Sequence, residues 1–250
     1  MSSKRRIAVI ASGDGSNMQA ISDACAAGDI DAEIGLVISN VPTARVLERA
    51  QALGIAQRCI DHRDFEQRQG FEASVSVALR DSGADLVVLA GFMRILGDSF
   101  VRQYYGSLLN IHPSLLPKYR GLHTHRRALE AGDSHAGATV HFVVPELDAG
   151  PAVLQARVAV LPDDSPESLA RRVLHAEHRI YPRAIAWWAA DRLALEPDGA
   201  YLDGEVIEDA AALDEASAES ESRKPLERDD PDGWCGDSAG TAVPGGSRTD

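Results

Sequence analysis

The sequence predicts an α/β fold: a Rossmann-like, mostly parallel sheet flanked by helices, with antiparallel strands added in the C-terminal half. Three observations carry it. The short apolar runs Ile7-Ala-Val-Ile-Ala11, Ile34-Gly-Leu-Val-Ile38 and Asp85-Leu-Val-Val-Leu-Ala90 have the continuous character of strands covered on both faces. Helical periodicity separates them, which is the alternation of βαβ units. From Ala138 the pattern changes to strict alternation, the mark of half-covered strands.

Taken in order, the first run ends in Ser12-Gly13-Asp14-Gly15-Ser16-Asn17, and Met18, Ile21, Ala24 and Cys25 then mark a helix. Pro42 predicts a helix start that leads through Val46, Leu47, Ala50 and Leu53 to a stop at Gly54. Phe65 to Ser82 reads as a helix closed by Gly83, and Leu108 to Ile111 as a further short strand. Thr139 to Val143 and Ala152 to Val160 are strands joined by the Pro145 to Pro151 loop. Asp164-Ser165-Pro166-Glu167 opens a long helix whose stripe is Leu169, Val173, Leu174, Ala176 and Ile180, and Pro182 predicts a kink or interruption before Ile185 and Trp187-Trp188. No internal repeat is found. Residues 5–204 are read as one domain; residues 208–250 lose apolar periodicity and are expected to be a disordered acidic tail.

With 250 residues, 44% of them hydrophobic and 25% charged, the chain can bury a core in one domain or two small ones, which excludes a peptide scaffold or a fibre. The net charge is −13, and residues 208–250 alone hold twelve acidic and four basic side chains. That balance argues against nucleic acid or an anionic membrane as partner. Cys25, Cys59 and Cys235 are odd in number and far apart, and no apolar run reaches the length of a membrane span. A cytoplasmic protein is expected.

The glycine loop lies between a first strand and a first helix, where backbone N–H groups and the helix dipole favour an anion such as phosphate. It departs from the dinucleotide fingerprint because Met18 stands where a third glycine belongs, and no P-loop Gly-Lys follows; a tight turn without a ligand is the alternative. Asn110-Ile-His112-Pro113 follows a strand, and an amide donor two residues from an imidazole suits an acyl-type reaction, against the alternative of a strand-end histidine bonded to backbone. Asp148 lies in a loop where an acid is ordinarily a turn former. His123-Thr-His125 and His175-Ala-Glu177-His178 lack usual ligand spacing, so no metal is expected. Phe92 to Leu96 can line a cleft or continue the core, and Arg68 can pair with a ligand carboxylate or simply face solvent.

In this order, Ser12-Gly-Asp-Gly-Ser-Asn17, Leu89-Ala-Gly-Phe-Met-Arg-Ile-Leu96, Leu109-Asn-Ile-His-Pro-Ser-Leu-Leu-Pro117, Gly121-Leu-His-Thr-His125 and Glu146-Leu-Asp-Ala-Gly-Pro151 resemble the phosphoribosylglycinamide formyltransferases, a folate-dependent formyltransferase family of purine biosynthesis, from about residue 5 to 204. The resemblance implies transfer of a formyl group from 10-formyltetrahydrofolate to the glycyl amine of glycinamide ribonucleotide, without metal or covalent intermediate, by an enzyme that can be a homodimer. It implies that Asn110, His112 and Asp148 are catalytic, that Gly15, Ser16, Asn17 and Glu177 hold the ribonucleotide, and that Arg68, Met93, Arg94, Ile95, Leu96 and Asn110 hold the folate. Asp14 departs from the family pattern and is expected to repel a phosphate unless it turns outward; Arg120 and Ala149 depart in ways expected to affect loop stiffness. The rivals are a formyltetrahydrofolate hydrolase, disfavoured because that family carries a preceding regulatory domain, an initiator-tRNA formyltransferase, disfavoured by the acidic tail, and a non-catalytic folate- or nucleotide-binding module, which would not need the trio.

Overall fold

The computed structural model describes residues 4–208 and 210–214. The chain runs through β1 (Arg5–Ala11), α1 (Ser16–Ala27), β2 (Ala32–Ser39), α2 (Arg45–Ala52), β3 (Gln57–Cys59), α3 (Arg68–Ser82), β4 (Leu86–Leu89), α4 (Asp98–Gln103) and β5 (Leu108–His112). It continues through α5 (Thr124–Glu130), β6 (His135–Phe142), β7 (Ala152–Ala159), α6 (Pro166–Ala189), β8 (Leu193–Glu196), β9 (Gly199–Leu202), β10 (Glu205–Val206) and β11 (Ala211–Asp214).

Eight strands form one sheet in the order β11-β7-β6-β5-β4-β1-β2-β3. From β3 to β5 neighbours are parallel; β6 is antiparallel to both β5 and β7. β8, β9 and β10 make a separate small antiparallel sheet. The period of two explains the layers. Ile7, Val9, Val37, Leu86 and Val88 face one apolar core, which α6 joins through Leu169, Val173, Ile180 and Ile185. Ala8, Ile10, Leu36, Val87 and Leu89 face the second, closed by Phe71, Val75 and Leu79 of α3 and Phe100 of α4. The strands are buried on both faces, which is why they read as unbroken apolar runs.

The chain leaves β1 toward β2 on one side and returns in β4 on the other, so the loops after β1 and β4 diverge and open a crevice at the strands' C-terminal ends. Leu89 of β4 is registered with both Ile10 of β1 and Asn110 of β5. The glycine loop, the 90–97 segment and the end of β5 therefore share one edge of the sheet.

Several expectations change. Pro42 stands in a turn, and α2 starts three residues later because the Val46 N–H is given to the carbonyl of Gly13, which ties that helix to the glycine loop at 3.1 Å. α3 begins at Arg68, after an extended Gln67, while Phe65 packs edge-on against Phe71. Pro182 does not interrupt α6: the helix is continuous over 24 residues from a capping box made by Ser165 and Ser168. Flanking packing by the apolar stripe offsets the one backbone hydrogen bond a proline cannot give. Ala211–Asp214, in the segment expected to be disordered, pairs in parallel with Leu154 to Arg157 on the edge of the sheet. An edge needs only backbone donors and acceptors from its added strand, so four residues without periodicity suffice. Residues 209 and 215–250 lie outside the described residues.

Candidate active site

Two clusters occupy the C-terminal edge of the sheet. The first is a polar cluster at the end of β5. Asn110 and His112 project from one strand two residues apart, hence to the same face, and β6 brings His141 into register with Asn110. Asn110 Nδ2 lies 3.0 Å from His141 Nε2, and His141 Nδ1 donates to the carbonyl of Phe142 at 2.8 Å. Burial pushes His141 down to about 4, against the pull of that carbonyl and of Asp148. The ring is therefore neutral with its proton on Nδ1, and Nε2 accepts from Asn110. This fixes which end of the Asn110 amide is the donor and leaves its second amide hydrogen for a ligand.

His112 is buried, with 6% of its surface exposed, and both ring nitrogens are addressed. Nε2 donates to the carbonyl of Tyr119 at 2.9 Å, while Nδ1 faces Asp148 Oδ2 at 3.5 Å. Asp148 Oδ2 also accepts from the Gly121 N–H at 2.8 Å, and Asp148 Oδ1 stands 3.9 Å from His141 Nε2. The carboxylate is presented by a backbone in the left-handed region, φ 47°. Gly150 allows this turn: a Cβ there would stand 1.8 Å from the carbonyl oxygen of Phe142. Ala149 lies outside the left-handed region, so its backbone does not require the glycine of the family pattern. Arg120 bonds Glu146 at 2.8 Å and so ties the loop after β5 to the loop that carries Asp148. Behind the trio, Thr139 Oγ1 donates to the carbonyl of Ser114 at 2.7 Å, and Gln155 donates to the carbonyl of Leu116 at 2.8 Å.

The second cluster is the glycine loop. Gly15 has φ 80°, and a Cβ on it would meet Val46 Cγ2 at 2.6 Å and Val46 Cα at 2.8 Å. Ser16 and Asn17 begin α1, so their N–H groups point out of a helix N-terminus. Asn17 Nδ2 donates to Glu177 Oε2 at 2.7 Å, across 160 residues. Burial pushes Glu177 up to about 7, opposed by that hydrogen bond. Asn17 Oδ1 is buried without a partner, an acceptor in place for a ligand's donor. Asp14 does turn away: its carboxylate takes Arg45 Nη1 at 3.1 Å and Arg49 Nη2 at 2.8 Å. The negative charge feared beside the loop is compensated by two guanidinium groups.

Between the clusters, Ser12 Oγ donates to Asn40 Oδ1 at 2.7 Å and accepts from the Met93 N–H at 2.9 Å, which joins the ends of β1, β2 and β4. Met93 and Ile95 are exposed, at 68% and 62%, whereas the Leu96 side chain is packed in the second core. Arg94 lies over the Phe71 ring at 5.8 Å, and Arg68 reaches Glu72, whose Oε1 accepts from the Gly97 N–H at 2.6 Å. Arg68 and the 93–96 run are thus assembled on one side of the crevice, with Arg68 half exposed. The histidine pairs gather no metal set: among the described residues no group of three His, Cys, Asp or Glu could hold an ion. His125 lines a cavity behind the trio, and His178 sits on α6 beside Glu177.

His141 and Tyr119, which contact Asn110 and His112, are the neighbours that sequence reading misses. A histidine inside an otherwise apolar strand is a signal for the first; for the second, whose contribution is a carbonyl, the sequence carries none.

The model of the formyl transferase domain matches residues 5–185, which hold every one of these groups. The chain belongs to the formyl transferase family. It is 49% identical over 199 residues to phosphoribosylglycinamide formyltransferase of Escherichia coli K12, covering 80% of this chain and 94% of that one. The solved phosphoribosylglycinamide formyltransferase of Coxiella burnetii, in complex with CHES, superposes with a TM-score of 0.78 at 46% identity over 81% of this chain and 95% of that one. A formyltetrahydrofolate deformylase of Pseudomonas syringae pv. tomato shares the fold with a TM-score of 0.74 at 28% identity over 80% of this chain and 66% of that one. The predicted parallel sheet with antiparallel additions is thus the family fold.

Proposed function

We propose that this formyl transferase moves the formyl group of 10-formyltetrahydrofolate to the glycyl amine of glycinamide ribonucleotide in purine biosynthesis. The observation that carries the reading is the reacting cluster: an amide whose donor end is fixed by a neutral His141, beside an imidazole held between a carboxylate and a carbonyl. High identity to phosphoribosylglycinamide formyltransferases along the whole domain supports the substrate pair.

The amine nitrogen forms its bond to the formyl carbon, the carbonyl oxygen takes up negative charge, and the bond from that carbon to the folate nitrogen then breaks. The free hydrogen of Asn110 Nδ2 donates to the developing oxyanion. Protonated His112 places positive charge beside it. Because its Nε2–H is committed to Tyr119, proton exchange takes place at Nδ1, the nitrogen facing Asp148. Asp148 holds the proton that leaves the attacking amine until the departing folate nitrogen takes it. Ser16, Asn17 and the N–H groups near Gly15 hold the phosphate, with Glu177 and the unpartnered Asn17 Oδ1 on the remainder of the ribonucleotide. Arg68 receives the folate's glutamate, and the 93–96 run lines its ring through exposed Met93 and Ile95 and its backbone, with the Leu96 side chain anchoring it in the second core.

Incubation with 10-formyltetrahydrofolate, with and without glycinamide ribonucleotide, tests this. Formyl transfer that requires the ribonucleotide is expected; formate release without it would identify a hydrolase, and absence of any turnover a binding module. Free Cys25 and Cys59 fit action in the reducing cytoplasm, and no helix of the described residues is long and apolar enough to cross a membrane. Action on small molecules, away from nucleic acid and membranes, belongs to the same reading, as does a homodimer, for which sizing in solution is the test. Residues 5–204 are read as the catalytic domain, extended by β10 and β11.

A further inference from the structure

We propose that Asp133, outside the reacting cluster, is a positioning residue that aims the Tyr119 carbonyl at His112. The inference rests on His112 being the reacting imidazole. Tyr119 adopts φ 56°, a conformation that a residue with a Cβ rarely takes and that costs about 1 kcal/mol or more unless its surroundings impose it. The Tyr119 ring packs against the first core, but the loop from Pro113 to Tyr119 also borders a cavity of about 490 Å³, lined by His125 too, so apolar packing alone does not impose it.

The polar ties do. Asp133 takes two successive side chains of the loop: Lys118 Nζ at 3.0 and 3.1 Å and Tyr119 Oη at 2.8 Å. Lys118 and Tyr119 together hold the Asp133 carboxyl below the usual carboxylate range, and the carboxylate in turn pushes the Tyr119 phenol up, so the phenol is a neutral donor. Asp133 itself is anchored by its N–H to the carbonyl of Ala128 at 3.1 Å, so the anchor is rigid relative to α5. Arg127 of the same helix lies over the Tyr119 ring at 5.1 Å. With the ring fixed at its far end, the Tyr119 carbonyl is directed to His112 Nε2. This gives the Nε2–H its acceptor and leaves Nδ1 for Asp148. An ordinary surface ion pair would have no such consequence.

The test reads kinetics together with the ¹⁵N shifts of the His112 ring, assigned as the signals that His112→Gln removes. Asp133→Ala is expected to lower kcat about tenfold with the KM for glycinamide ribonucleotide kept within about twofold, and to move the His112 Nε2 shift, which reads the loss of the Tyr119 carbonyl acceptor. Tyr119→Phe, which keeps the ring and loses only the hydroxyl, is expected to do the same in smaller measure and serves if Asp133→Ala does not fold. Asp133→Asn retains an acceptor for the phenol and is expected to restore the ring shifts. Wild-type kcat and unchanged ring shifts in both Asp133→Ala and Tyr119→Phe would overturn the proposal, as would a raised kcat, which would make the Tyr119 carbonyl an obstruction. Full turnover in His112→Ala would defeat the assignment of His112, while the ring shifts would still report whether Asp133 orients it.

Discussion

The two ends of the crevice are built by different means. The glycine-loop end is built mostly on backbone: a glycine in the left-handed region and two N–H groups at the start of α1, with Asn17 tied to Glu177 and Asp14 to Arg45 and Arg49 from outside. The β5 end is side chains and long-range ties: β5 supplies Asn110 and His112, β6 supplies His141, and two loops supply Asp148 and the Tyr119 carbonyl. The parallel part of the sheet delivers its site at a helix start, where unsatisfied donors exist already. The antiparallel part must assemble its site from strands that meet only in the finished fold. Charge is handled oppositely too. A buried carboxyl at the first end is pushed up to about 7, and a buried imidazole at the second is pushed down to about 4.

The largest expected effect separates binding from chemistry. His112→Ala should lower kcat by about a thousandfold while leaving the KM for the ribonucleotide nearly unchanged, since the imidazole acts on charge that appears in the transition state. Asn110→Ala and Asp148→Asn should each cost about a hundredfold in kcat, as measured by steady-state turnover. Wild-type turnover in any of the three would remove that residue from the mechanism. At the other end, Ser16→Ala should raise the KM for the ribonucleotide about tenfold with the folate KM unmoved. Equal losses for both substrates would mean the loop is only structural. Gly15 is the poorer probe, because any side chain there strikes α2 whether or not a phosphate is bound.

The opposite titrations give a sharper comparison. Glu177, usually near 4.5 and raised to about 7, binds a proton in the folded state that the unfolded chain has released, so its contribution lowers stability as pH rises from about 4.5 to 7. His141, usually near 6.5 and lowered to about 4, stays neutral when folded while the unfolded chain takes up a proton, so its contribution lowers stability as pH falls from about 6.5 to 4. Each is worth roughly 3 kcal/mol at full extent, and between pH 5 and 6.5 they oppose each other. Glu177→Gln should therefore steepen the loss of thermal stability on acidification, and His141→Gln should uncover a loss on moving from pH 5 to 7. Parallel curves for both variants and the parent would dismiss both titrations. The smallest effect concerns the sheet edge. Truncation after Gly204, which removes β10 and β11, should lower Tm by a few degrees, and truncation after Asp214 should not; equal Tm values would show that β11 contributes nothing.

The two ends were also unequally legible. β1, β2 and β4 are readable because burial on both faces leaves no polar interruption, and Gly15 with the helix behind it follows from the same local logic. Asn110, His112 and Asp148 stand out by type and by resemblance, but the geometry linking them does not, because His141 reaches Asn110 only through strand register. Arg45 and Arg49, which answer the Asp14 anomaly, lie 31 and 35 residues from it. The start of α2 at Arg45 is not legible in the sequence, because the acceptor of the Val46 N–H, the Gly13 carbonyl, is tertiary. β11 carries no periodicity, and backbone pairing on an edge requires none.

The contact between Gly15 and α2 also limits how this loop can evolve. Ordinarily a clash made by one substitution is relieved by trimming the neighbour it strikes. Here a Cβ at position 15 would stand 2.8 Å from Val46 Cα as well as close to the Val46 side chain. Val46→Ala, or even Val46→Gly, keeps that Cα, so no single replacement at 46 opens the space. An escape would have to displace α2 as a body, and with it the Arg45 and Arg49 pairing that neutralises Asp14. Two-step mutational paths that pass through position 15 are therefore closed from both directions, and sequence drift around the glycine loop is confined to its flanks.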